Sequence, residues 1–183
     1  MVSTSKKLLQ DLLELTCVNI NVVENFKSQP ISSLNWKKNP KSWSVLECIE
    51  HLNRYGNFYI PEMTKRIASA KHKNSEVFKS NWLGSYLSKS VAFKENLNKM
   101  NTFKSMNPLN SKLTVETLEI FIDQQHQIVD LLNKAKHVNL DKTKTAISIS
   151  KLIKLKLGDT FRVLIYHNER HLKQARKTLE TAF

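Results

Sequence analysis

The sequence predicts an all-α protein, a four-helix bundle with long crossover connections. Three observations carry that prediction. Glycine is scarce: only Gly56, Gly84 and Gly158 occur in 183 residues, whereas hairpin-rich β folds lean on glycine where φ is positive. Four segments of about 20 residues repeat apolar residues at the three- and four-residue steps of an amphipathic helix. The one stretch with strand-like alternation, residues 145–157, has no second strand to pair with. With 40% hydrophobic and 25% charged residues, the chain reads as a soluble globular protein forming one domain over residues 1–183.

The first helix is expected from about Ser5 to Lys27, where Leu8, Leu12, Leu15, Ile20 and Val23, joined by Leu9, Leu13 and Val22, make a broad apolar stripe. A polar loop with Pro30, Trp36 and Pro40 follows. The second helix has a marked start: Ser44 and Glu47 form a capping-box pattern, with Trp43 placed to pack before it. Val45, Ile49, Leu52, Tyr55 and Tyr59 continue it, and Pro61 should kink it on the way to about Ala70. Residues 71–112 are Lys- and Asn-rich with scattered aromatics (Phe78, Trp82, Tyr86, Phe93, Phe103). They predict a long connection with short helical pieces, one near Ser88–Met100, lying over the mouth of a site. The third helix spans about Thr114 to Lys136, with Val115, Leu118, Ile122, Gln125, Ile128 and Leu132 on one face. Residues 145–157 are expected as an extended connection. The fourth helix starts at Gly158-Asp159, with Asp159 as N-cap or first-turn acid, and runs to about Glu180.

Composition also excludes functions. No two glycines lie close enough for a dinucleotide fingerprint or a phosphate loop. Cys17 and Cys48 cannot form a cysteine zinc site or a disulfide framework, and read as reduced core thiols of a cytoplasmic protein. The start of the chain has no long apolar run or cleavage pattern, and no apolar stretch approaches the roughly 18 residues that span a bilayer, so no membrane partner is expected. The net charge of +13, from 29 basic and 16 acidic residues, invites a nucleic-acid reading. Its distribution disfavours that reading. Lys89, Lys94, Lys99 and Lys104 step by five and walk around a helix, and Arg54, Arg66, Arg162, Arg170 and Arg176 are scattered.

The chemistry lies in the histidines. His167 and His171 stand four apart on one helix, one turn apart on the same face, a spacing that suits one metal ion and equally a pair of structural histidines. His51 lies between Ile49 and Leu52 at the edge of the second helix's apolar face, where a lone histidine ordinarily belongs to the core. The neighbourhoods of both sites decide between these readings. Residues Trp43-Ser44 followed by His51-Leu52, and Leu157-Gly158-Asp159 followed by His167-x-x-x-His171 with Gln174 three residues on, resemble the second- and last-helix motifs of the DinB/YfiT-like family. The two matches stand about 105 residues apart and in the family's order.

That resemblance implies a DinB/YfiT-like four-helix bundle in which His51, His167 and His171 are the metal-binding triad. It also implies a metal-dependent hydrolase or thiol-dependent transferase acting on a small-molecule substrate, with a thiol as cosubstrate, and working as a homodimer. The alternative is a metal-binding or stress-associated protein without turnover. Three neutral imidazoles suit a divalent metal, Zn²⁺ or Ni²⁺ foremost and Fe²⁺ after them, and leave a position for water or substrate. Glu47, one turn before His51, is the candidate catalytic residue, as an orienting or acid/base group; Asn168 and Glu169 flank His167. His72 and His137 read as solvated, and His126 as lying one position off an apolar stripe. Tyr55 and Tyr59, one and two turns after His51, read as core or entrance residues.

Overall fold

A computed structural model describes residues 1–93 and 102–182. It is mostly helical. The first strand, β1 (Val2–Thr4), leads into α1 (Ser5–Phe26), capped by the Thr4 hydroxyl, which accepts from the Lys7 N–H at 3.2 Å. After a single helical turn, α2 (Ile31–Leu34), comes α3 (Val45–Ala68), which runs through Pro61. A short strand β2 (Val77–Lys79) pairs antiparallel with β1. Helix α4 (Trp82–Val91) follows, capped by Asn81. A 3-10 turn at Lys104–Met106 and α5 (Glu116–Ala135) come next. Strands β3 (Lys144–Ile147) and β4 (Ser150–Lys156) precede α6 (Leu157–Glu180).

The four long helices pack in pairs. Both α1 and α3 lie against α5 and α6, and α4 lies along α6. Their apolar faces form two core clusters. One gathers Leu8, Leu12, Met63, Phe78, Ile128, Phe161 and Ile165. The other gathers Val23, Phe26, Leu46, Ile49, Leu52, Leu118, Phe121 and Leu172. On every long helix a buried polar residue falls between the two apolar stretches: Thr16 and Asn19 on α1, Asn53 on α3, Gln124 and Gln125 on α5, Asn168 on α6. Buried polar groups need partners, and most of these find one, although Asn19 Nδ2, Asn53 Oδ1 and Asn168 Oδ1 are buried without a hydrogen bond. Asn168 Nδ2 donates to Gln125 Oε1 at 3.0 Å, Asn53 Nδ2 to the Thr117 carbonyl at 2.9 Å, and Gln124 Nε2 to the Asn53 carbonyl at 3.2 Å.

Four expectations are corrected. Residues 145–157 are not a lone extended connection, because β4 pairs antiparallel with β3, the residues just before it, with Thr145 opposite Leu155. The turn at Ser148 and Ile149 closes without glycine, and a register shift between Ala146 and Ile147 takes up the bend; a search for glycine turns passes over it. The helical piece in the long connection lies earlier, at Trp82–Val91, and residues 94–100 of the expected Ser88–Met100 piece fall outside the described residues. Cys48 is a core thiol, but Cys17 is exposed. The buried stripe of α1 passes through Thr16 and Asn19 instead of Leu13, Leu15 and Ile20, which are only half-buried. No helix among the described residues is long and apolar enough to cross a membrane.

Candidate metal centre

The capping box fixes the start of α3 two turns before His51. Ser44 Oγ accepts from the Glu47 N–H at 3.2 Å, and Glu47 Oε2 accepts from the Ser44 N–H at 2.9 Å. Across the core, α6 presents His167 and His171 on successive turns. The three imidazoles meet. Their ligand atoms all lie within 4.8 Å of one another, and His51 Nε2 stands 3.3 Å from His167 Nε2. Ring centroids are 5.1 Å apart for His51 and His167, and 4.6 Å for each of the other two pairs.

Hydrogen bonds at the outer nitrogens turn the inner ones toward this centre. His51 Nδ1 donates to the Met106 carbonyl at 2.7 Å. A carbonyl only accepts, so Nδ1 holds the proton and Nε2 keeps its lone pair. In the same way, His171 Nδ1 donates to Gln174 Oε1 at 2.9 Å. Carbonyl partners of this kind set the tautomer and ring orientation of metal-binding histidines. The Trp43 ring packs on His51 and His171, at 4.7 and 5.7 Å between centroids. Tyr55 lies edge-on to His51 and His167 at 5.0 and 4.7 Å.

All three rings are held neutral. Burial pushes His51 down to about 4, helped by the Arg54 charge. Burial, then the His51 charge, brings His171 to about 3. His167 falls well below its ordinary value through burial first, then repulsion from His171 and His51. Neutral imidazole is the form that binds a metal.

The donor set fits a divalent cation by its spacing. His51 Nε2 and His167 Nε2 face each other at a distance that either a shared proton or one bound ion satisfies. Two Zn–N bonds of ordinary length at the tetrahedral angle place their nitrogens about 3.3–3.4 Å apart, which matches the 3.3 Å between His51 and His167.

The remaining candidates occupy other places. The Glu47 carboxylate accepts from the Ser44 N–H, from Lys37 Nζ at 2.6 Å and from the Asn110 N–H at 2.5 Å. Asn168 is bonded to Gln125, and Glu169 pairs with Lys173 at 2.8 Å. His72, His126 and His137 are exposed and join none of the histidine groupings among the described residues. Tyr55 lines the triad, and Tyr59 stacks behind it with centroids 6.4 Å apart. Sequence reasoning missed the part Trp43 plays against the rings, although Trp43 lies two turns before His51. It could not see Met106, whose contribution is a backbone carbonyl and independent of side-chain identity.

Helices bringing three neutral imidazoles to one point define a class: helical proteins with a histidine cluster suited to a divalent metal. The family model of the DinB superfamily matches residues 21–175, a span holding all three histidines and Trp43. The chain belongs to the DinB superfamily. Searches of curated proteins and of solved structures return no significant match.

Proposed function

We propose that the chain, a DinB-type four-helix bundle forming one domain, binds one divalent metal ion through His51, His167 and His171. On this reading it acts as a metal-dependent hydrolase or thiol-dependent transferase on a small-molecule substrate. The observation that carries the reading is the convergence of the imidazoles, with the outer nitrogens of His51 and His171 already committed to carbonyl oxygens. When bound, such a metal supplies a Lewis acid with an open position, where a water or thiol loses its proton more easily.

The protein's own residues do the rest. Met106 and Gln174 hold two rings in one tautomer each. Trp43 covers the His51 and His171 rings and keeps water from that side. Tyr55 offers a half-buried phenol edge-on to His51 and His167, whose burial keeps it protonated well above neutral pH, so it is suited to donate a hydrogen bond to a substrate oxygen. Glu47 supports the start of α3 and two loops around the site, and we assign it a positioning part. The homodimer belongs to this proposal on family grounds alone, and the cytoplasmic setting on the reading of Cys17 and Cys48 as reduced thiols.

The second reading, a metal-binding protein without turnover, is favoured by how closely His51 is covered, at 2% exposure. The deciding experiment is metal analysis of protein purified without a histidine tag. About one equivalent of divalent metal is expected, lost in a His51→Ala/His167→Ala variant that still folds. Protein that carries no metal and takes none up on addition would overturn the proposal. Loaded protein is then assayed with thiol cosubstrates and with panels of amides and esters; inactivity across all of them selects the second reading.

A further inference from the structure

The carbonyl that orients His51 comes from a segment 55 residues further along the chain, so something must hold that segment in place. Residues 103–111 lie as a strap on the face of α3 that carries Glu47, His51 and Arg54. At one end, Asn110 adopts a left-handed backbone conformation with φ 65°, uncommon for a residue other than glycine. Its N–H donates to Glu47 Oε1 at 2.5 Å, and its side chain accepts from Lys37 Nζ at 3.2 Å. At the middle, the Arg54 guanidinium spans four groups. Its Nε pairs with Glu50 at 2.8 Å, Nη1 donates to the Asn107 carbonyl at 2.9 Å and to the Ser105 carbonyl at 3.4 Å, and Nη2 reaches Ser111 Oγ at 3.4 Å. Asn107 Oδ1 in turn accepts from Trp43 Nε1 at 3.2 Å. The same strap therefore ties down both the ring that covers the triad and the carbonyl that turns His51.

We propose that Glu47 and Arg54 are positioning residues that latch this strap to α3, and that the latch holds His51 in the tautomer with its proton on Nδ1. A planar fork bonding several groups at once is the geometry arginine supplies and lysine does not. Glu47 is nearly fully buried, with 2% of its side chain exposed, and each of its acceptor bonds ends on the cap, the strap or the loop before α3. The inference deepens the metal-centre reading and rests on His51 being a ligand, yet the latch has a readout that needs no metal.

The test uses the full chain, metal-free, with ring nitrogens observed by ¹⁵N NMR. In the unaltered protein His51 is expected as a single tautomer, protonated at Nδ1. In Glu47→Gln, whose amide can still complete the capping box, and in Arg54→Lys, which keeps the charge, His51 should show mixed tautomers while far-UV circular dichroism stays unchanged. Zn²⁺ affinity, measured against a chelator, should fall about 10- to 100-fold in both, the usual effect of losing a partner behind a ligand. Arg66→Ala, which breaks a similar Arg–Glu pair elsewhere on α3, should alter neither. A His51 that keeps its Nδ1 proton in both folded variants overturns the latch, as does an Nε2-protonated ring in the unaltered protein. If the unaltered protein binds no Zn²⁺ but the tautomer still depends on Arg54, the latch stands and the metal reading falls.

Discussion

The ion pair between Asp159 and Arg162 makes a sharp prediction about what holds α4 against α6. Asp159 is fully buried, and the Arg162 side chain is 6% exposed. Arg162 Nη1 donates to Asp159 Oδ1 at 2.9 Å, and Ser80 Oγ donates to the same oxygen at 2.6 Å. Gly84 of α4 sits directly on the carboxylate: a Cβ there would stand 2.0 Å from Oδ2. Asp159→Leu would leave the guanidinium buried, with the Ser80 hydroxyl at 3.2 Å and the Tyr166 ring at 5.9 Å as neighbours. Breaking a buried pair from one side costs about 3–5 kcal/mol. At about 2–4 °C per kcal/mol for a chain of this size, Tm should fall by about 6–20 °C. Arg162→Met should cost a similar amount. The double variant should cost less than either single change, because no unpaired charge remains. Urea and thermal unfolding of the four proteins, followed by circular dichroism, measure this cycle. A loss below about 1 kcal/mol for Asp159→Leu, or a double variant whose loss equals the sum of the singles, would refute the reasoning.

Two further predictions concern packing and pH. A Cβ at Gly158 would stand 2.6 Å from the Phe78 ring, which is fully buried between β2 and α6. Gly158→Ala should therefore destabilise by about 1–3 kcal/mol, outweighing a helix-propensity gain of at most about 1 kcal/mol; an unchanged or raised midpoint in urea would contradict this. In the metal-free protein the triad's pKa values lie below the unfolded value of about 6.5. Between about pH 6.5 and 4 the unfolded chain thus binds more protons than the folded one, and stability must fall as pH falls through that window. Above it these groups contribute no slope. The expected loss is at most about 1.4 kcal/mol per pH unit for each histidine, and His51→Ala should flatten the profile measured by thermal unfolding.

What could be read from the sequence follows from where the information is local. Helix α3 begins where Ser44 and Glu47 say it does, because a capping box is written in two residues three apart. Helix α6 begins within a residue of Gly158, with Asp159 in its first turn. The His167–His171 spacing shows a shared face directly, whereas His51 needed the wider motif, since its partners sit on another helix 116 residues away. The hairpin was missed because its turn uses neither glycine nor positive φ. The polar layer was legible only at Gln125, which the pattern placed on the apolar face of its helix. A hydrophobic stripe counts apolar residues, so it took in Leu15 and passed over Thr16 and Asn19, which only packing against α5 and α6 buries. Glu47 was noticed for its distance from His51, but its carboxylate is turned to the cap, Lys37 and Asn110, none of which the helix pattern could place.

The charge balance around the triad bears on which half of the proposed function is the stronger. Three neutral imidazoles bring no negative charge. The nearby carboxylates of α3 are already engaged, Glu47 by Lys37 and Glu50 by Arg54. Arg54 and Arg170 both act on the rings electrostatically, and both oppose protonation. A site of this kind would leave a divalent cation's charge uncompensated by protein. A storage or structural site gains by neutralising its ion with thiolate or carboxylate ligands from the chain. Here the compensating anion must come from what enters: a thiolate, a carboxylate or an ionising water. On the proposed reading that is the requirement of a hydrolase or a thiol transferase, whose reactant is itself the missing anionic ligand. The overall charge of +13 plays a lesser part than this local shortage of negative charge, because screening confines surface charges to about 8–10 Å at ordinary ionic strength, while Arg54 stands one turn from His51.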